Sequence, residues 1–109
     1  MISDADMNEN SILKDFFLGF IKIHILHHAA EKPFYGREIK EELENHGYTL
    51  SFGTLYPVLH KLCKNGFLTR KDINVDGKIR KYYSITGRGK QMLGDAKVKI
   101  RELTDEVLV

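Results

Sequence analysis

Side chains able to hold an anion are concentrated in one stretch of this chain. From Ser51 to Lys64, the residues Ser51, Thr54, Tyr56, Pro57, His60, Lys61 and Lys64 interleave with Leu55, Val58, Leu59 and Leu62. At helical spacing the leucines fall on one side and the hydroxyls, imidazole and ammonium groups on or near the other. Such groups can donate to phosphates and read base edges. Tyr56 suits a contact from the front of the helix, and His60 and Lys61 are free for contacts because the leucines already fill the inward stripe. Lys64 serves equally well as a partner for the helix C-terminal dipole. Further on, Arg70, Lys71, Lys78, Arg80 and Lys81 sit on two short extended runs.

Other reactive types are fewer. His24, His27 and His28 fall on one helical face and invite a metal reading. With no carboxylate or thiol at ligand spacing, they are expected to satisfy local hydrogen bonds or line an interface, so no metal and no cofactor is expected. Cys63 is the single cysteine. A nearby lysine would make it a redox sensor, but a small buried side chain is the commoner use. There is no glycine-rich phosphate loop and no nucleophile with a base, so the chain is not expected to be an enzyme.

The net charge of +2 hides a strong asymmetry. Residues 1–52 balance to −4, residues 53–90 to +7 and residues 91–109 to −1. The basic middle segment points to a polyanion, because clustered Lys and Arg displace condensed counterions from phosphates. At 109 residues the chain is one domain. No apolar run approaches a membrane span, and the polar, acidic start lacks the features of a signal peptide. A lone cysteine fits a reducing compartment, so a cytoplasmic location is expected.

These side chains need elements to position them. Residues 1–11 are expected to be a flexible segment. Phe16 to Ala30 reads as a helix that is apolar nearly all round (Phe16, Phe17, Phe20, Ile21, Ile23, Ile25, Leu26), which implies burial on every side and hence a second subunit. Glu31-Lys32-Pro33 breaks it. A second helix runs from about Gly36 to His46, with Tyr35, Ile39 and Leu43 as its inward stripe and no strong capping residue. Arg37/Glu41 and Lys40/Glu44 are outward pairs. Ser51 caps a third helix that ends at Asn65-Gly66. Two extended runs, Phe67 to Val75 and Lys78 to Thr86, meet at Asp76-Gly77, a pair suited to a hairpin turn. A last helix carries Leu93, Ala96, Ile100, Leu103 and Val107 at coiled-coil spacing, which favours dimerisation over folding back on its own domain.

Three helices and a hairpin make a winged helix-turn-helix: mainly α with a small β-hairpin, a DNA-binding domain over 12–86 and a C-terminal dimerisation helix over 87–109. The third helix would enter a major groove and the wing would contact phosphates or the neighbouring minor groove. A winged-helix module that binds protein rather than DNA is the alternative.

Leu50 to Leu62, Asn65 to Leu68, Gly77 to Thr86 and Gly89, with Tyr35-Gly36, are similar to the PadR-like transcriptional regulators, and the resemblance covers roughly residues 12 to 108. It implies a homodimeric repressor of double-stranded DNA with a pseudo-palindromic operator, whose C-terminal helix packs on the partner's first helix. It also implies that Tyr82, Tyr83 and Thr86 brace the wing. The expected DNA-facing set is Tyr35, Ser51, Thr54, Tyr56, Pro57, His60, Lys61, Lys64, Lys78, Arg80 and Lys81. The expected dimer interface is Phe17, Phe20, Ile21, His24, Leu93, Ala96, Ile100, Leu103 and Val107. No aromatic residue follows Tyr83. That departs from relatives that stack flat ligands on the C-terminal helix, and a small-molecule effector stays unassigned.

Overall fold

A computed structural model describes residues 2–8 and 12–109. Among them the order is β1 (Ile2–Ser3), α1 (Asp4–Met7), α2 (Ile12–Glu31), β2 (Phe34–Tyr35), α3 (Gly36–Asn45), β3 (Tyr48–Thr49), α4 (Phe52–Lys64), β4 (Leu68–Val75), β5 (Lys78–Ile85) and α5 (Gly87–Val107). The mainly helical winged helix-turn-helix is present, and its hairpin gains a third strand. In the antiparallel order β2-β5-β4, Phe34 pairs with Tyr83 and Tyr35 with Tyr82.

The apolar pattern dictates the core. Ile21 and Ile25 of α2, Ile39 and Leu43 of α3, Leu55 and Leu59 of α4, and Leu68 at the root of the wing are the largest fully buried side chains. Each contributes about 1.5–3 kcal/mol on leaving water. Tyr35 is not part of the inward stripe of α3. It precedes the helix as a strand residue, and its N–H donates to Glu38 Oε1 at 3.0 Å, which supplies the missing cap.

Helix ends follow local chemistry. Ser51 Oγ accepts from the Thr54 N–H at 3.3 Å and opens α4. Gly66, with φ +83, closes it, and the Phe67 N–H reaches back to the Leu62 carbonyl at 2.9 Å. Thr86 joins two elements: its hydroxyl donates to the Gly66 carbonyl at 2.6 Å and accepts from the Gly89 N–H at 2.9 Å. At the wing tip Asp76 and Gly77 both hold positive φ, the geometry that matches strand twist in a two-residue hairpin.

Two expectations are corrected. The segment over 1–11 is not loose along Ile2–Asn8. Ile2 donates its N–H to the Gly47 carbonyl at 2.8 Å, β1 pairs in parallel with β3, and Met7 is buried in the core. Residues 1 and 9–11 lie outside the described residues. The first helix starts at Ile12 and divides its apolar surface. Ile21, Ile25, Leu26 and Ala29 enter the chain's own core, whereas Ile12, Leu13, Phe16 and Phe20 stay exposed.

Only Gly89 and Leu93 of α5 are buried; its later turns run beside the first half of α2 across an apolar groove, in a molecule of 53 × 32 × 24 Å. A Cβ on Gly89 would fall 2.2 Å from the Phe67 carbonyl oxygen and 2.7 Å from Ile85, and backbone cannot yield there. Gly89→Ala is therefore expected to destabilise the fold by about 1–3 kcal/mol in urea denaturation followed by circular dichroism.

Candidate nucleic-acid interface

The burial of four α4 residues decides what the helix shows. Leu55, Val58, Leu59 and Leu62 face inward, so the opposite side carries Gly53, Pro57, His60 and Lys64 along its crest. Tyr56 lies on one shoulder and Lys61 on the other, both exposed. The Tyr56 shoulder faces the wing. Tyr56, His60 and Cys63 line a groove of about 410 Å³ whose other wall is Arg70, Lys81 and Tyr83. Strand alternation creates that wall: Arg70 lies opposite Tyr83 and Asp72 opposite Lys81 on the groove side of the hairpin. Lys71, Lys78 and Arg80 fall on the other face.

The two faces of the wing are connected through Tyr35. The Arg80 guanidinium lies 4.6 Å from the centre of the Tyr35 ring, and that ring sits 5.5 Å from Tyr82. Gly36, the next residue, is buried against the Tyr56 phenol, where a Cβ would come 2.8 Å from Oη. Tyr56, Tyr35 and Arg80 thus belong to one continuous surface, with Lys81 across the groove and Lys61 on the far shoulder of α4. Tyr82 shares the Tyr35 face, whereas Tyr83 is buried with its ring 5.7 Å from Phe34.

Ser51 and Thr54 occupy a different situation from the one expected. The Ser51 oxygen is used in capping, its N–H donates to Asp4 Oδ1 at 3.0 Å, and its hydroxyl meets that of Thr54 at 3.5 Å. An acidic side chain from the N-terminal segment therefore sits at the positive end of α4. The Ser51 N–H, the hydroxyls of Thr54 and Ser51, and Lys40 hold the Asp4 carboxyl below its ordinary value. Phe52 stacks on Tyr56 at 5.2 Å and carries the Lys40 ammonium 5.5 Å from its ring centre. Lys40, Phe52 and Asp4 are outside the expected DNA-facing set. So is Arg70 as a groove residue, although its register two residues after Leu68 could have disclosed its face.

Cys63 does not have the chemistry of a sensor thiolate. Burial pushes its thiol up, outweighing the opposing pull of Arg70.

The expected dimer residues divide into two groups. Ile21 and Leu93 are corrected: they are 0 % and 5 % exposed in the single chain and cannot meet a partner. His24 also turns inward, stacking on His46 at 4.7 Å and meeting Tyr48 edge-on at 5.3 Å. Phe17 is partly buried against the core, and Ala96 is half-buried. Phe20, Ile100, Leu103 and Val107, by contrast, line an apolar groove of about 380 Å³ between α2 and α5, together with Phe16 and Ile23.

The model of the transcriptional regulator PadR-like family matches residues 25–95. Transcriptional regulator Rv3488 of Mycobacterium tuberculosis is 40% identical over 96 residues, which cover 88% of this chain and 90% of that protein. Among solved structures, a PadR-like transcriptional regulator from Bacillus cereus superposes with a TM-score of 0.77 at 28% identity, covering 85% of this chain and 92% of the other. A PadR family transcription regulator from Clostridium difficile gives 0.72 at 27% identity, with 83% and 99% covered. These relatives are regulators and not enzymes. No described helix is long and apolar enough to cross a membrane.

The Asp4 contact predicts a titration. A depressed carboxyl stabilises the clamp above its unfolded pKa, and that contribution is lost as pH falls through the folded value. The Ser51 amide resonance is expected to titrate with a midpoint below 3.8, the ordinary value for Asp4. In Asp4→Asn that titration disappears. NMR across pH 2 to 6 checks it, and a Ser51 midpoint at or above 3.8 contradicts the contact.

Proposed function

Since this chain belongs to the PadR-like family of transcriptional regulators, we propose that it acts as a homodimeric repressor that binds a pseudo-palindromic site in double-stranded DNA. The observation that carries this reading is the shared groove of α4 and the wing, where Tyr56 and His60 face Arg70 and Lys81. An exposed helix crest flanked by cations fits a major groove, which is about 12 Å wide and admits one helix. His60 and Lys64 are the crest residues placed to read base edges, with Lys61 and Tyr56 on phosphates at either side. Pro57 contributes only shape. Lys81 and Arg70 hold the phosphate strand between helix and wing. Lys78 and Arg80, at and beside the tip, reach the adjoining minor groove, with Tyr35 as the platform for Arg80. Ser51 and Thr54 act by fixing the front of α4, and the groups they present are those left after capping.

The α2–α5 groove supports the dimer. Its walls, Phe16, Phe20, Ile100, Leu103 and Val107, are apolar and exposed in the single chain. A contiguous apolar patch of this kind marks an interaction surface. A second copy, related by two-fold symmetry, covers both grooves at once. It sets the two α4 helices about 34 Å apart, one turn of duplex. Occupation of an operator by such a dimer excludes polymerase in the cytoplasm, which is the repressor reading.

Gel mobility shift with a duplex library tests DNA binding. Wild-type protein is expected to bind with a steep inverse salt dependence. Replacing Lys78, Arg80 and Lys81 together by alanine weakens binding to all sequences alike and reduces the salt slope by about one for each phosphate no longer neutralised. Lack of binding at low salt favours a protein-binding module instead. For the dimer, Phe20→Glu with Leu103→Glu is expected to give a folded monomer in analytical ultracentrifugation, because both side chains are solvent-exposed in the isolated chain. An intact dimer in that variant contradicts the proposed interface.

A further inference from the structure

A cluster of imidazoles lies apart from the DNA-facing surface. His24 and His28 stand one turn apart on α2, and His46, at the C-terminal cap of α3, comes against them. The rings of His24 and His46 are 4.7 Å apart and nearly parallel, and those of His28 and His46 are 5.5 Å apart. One nitrogen from each of the three lies within 4.8 Å of those of the others. The expectation of no carboxylate at ligand spacing is corrected here on two counts. Glu31 pairs with His27 one turn on, at 2.9 Å, and the fold brings Glu42 of α3 to 3.8 Å from His28 Nε2.

We propose that His24, His28 and His46, with Glu42 as the nearby carboxylate, form a binding site for a borderline divalent transition-metal ion of the zinc class. Three observations converge on it. First, His28 Nε2 is a buried nitrogen with no hydrogen-bond partner, a state that costs free energy unless something occupies its lone pair or accepts its proton. Glu42 at 3.8 Å is beyond hydrogen-bond reach. Second, two imidazole nitrogens on one tetrahedral ion lie about 3.4 Å apart, given metal–nitrogen bonds of about 2.1 Å, so the cluster, whose nitrogens lie within 4.8 Å of one another, closes by side-chain rotation. Third, His28 and Glu42 line a cleft of about 240 Å³ that also carries Glu31, Glu38 and Glu41 against Lys32, a carboxylate-rich surface beside the imidazoles that attracts cations. Imidazole donors with a carboxylate select zinc, copper or nickel over magnesium and calcium, which prefer all-oxygen shells. An ion held there ties α2 to the end of α3.

The site does not depend on the DNA-binding reading, and its test uses no DNA. Isothermal titration of the untagged full chain with Zn²⁺ is expected to show one ion per chain. His46→Ala and His24→Gln are each expected to lower the affinity at least about tenfold, and His27→Ala to leave it unchanged. Co²⁺ in place of Zn²⁺ should give visible absorption bands that His46→Ala removes. His46 is exposed, so its variant keeps the fold. It decides the matter alone if His24→Gln melts early by circular dichroism. Four outcomes overturn the proposal: no binding at up to about 100 μM Zn²⁺, binding that His46→Ala leaves intact, loss on His27→Ala but not on His46→Ala, or equal affinity for Mg²⁺.

Discussion

The docking of α4 by its leucine face is the interaction on which the remainder of the molecule depends. Leu55, Leu59 and Leu62, with Val58, enter the core formed by Ile21 and Ile25 of α2 and Ile39 and Leu43 of α3. Because a helix is rigid and its period fixed, burying these positions also settles the direction of all the others. The crest of His60 and Lys64 and the two shoulders at Tyr56 and Lys61 are consequences of that burial. A rotation of α4 that moved His60 inward would leave a leucine in water and an imidazole in the core. Both changes are unfavourable, so the presenting face is held by the hydrophobic effect and not by contacts among the presenting residues.

The two ends of α4 are fastened by polar groups that do not come from its own core face. At its start, Ser51 caps the helix and is itself held by Asp4, whose own segment is anchored by the β1–β3 pairing and by Met7 in the core. At its end, the Gly66 turn is joined through the Thr86 hydroxyl to the first turn of α5. The wing is tied to the same region, since Leu68 leaves that turn directly into the core and Tyr83 stacks on Phe34. Helix, wing and the start of α5 therefore meet around Gly66, Phe67 and Gly89, where backbone passes too close for a Cβ on Gly89. Displacement of α5 at that junction would be felt at the root of the wing.

α2 serves three surfaces at once. One stripe fills the core, a second leaves Phe16 and Phe20 beside Ile100 and Leu103 of α5, and a third brings His24 and His28 to His46. Its apolar character reflects the first two stripes, one leaving water for the core and the other lining the apolar groove against α5. The imidazoles occupy the third stripe, where α3 ends and a polar cleft opens.

Much of this was legible in the amino-acid sequence, for a local reason. Helical and strand periods, the Ser51 cap, the Gly66 stop and the Asp76-Gly77 turn are set by residues within a few positions of one another. The leucine stripe of α4 follows from the same rule, and with it the exposure of Tyr56, His60 and Lys61. What only tertiary structure decided were meetings between distant segments. Asp4 reaches Ser51 across 47 positions, because β1 pairs with β3. His46 and Glu42 join His24 and His28 because α3 packs across α2. Ile21 and Leu93 left the expected interface for the core because an apolar helix face or a heptad spacing states that a stripe is buried without stating against what. Period specifies which residues leave water together, whereas the partner they leave it with depends on how whole elements pack.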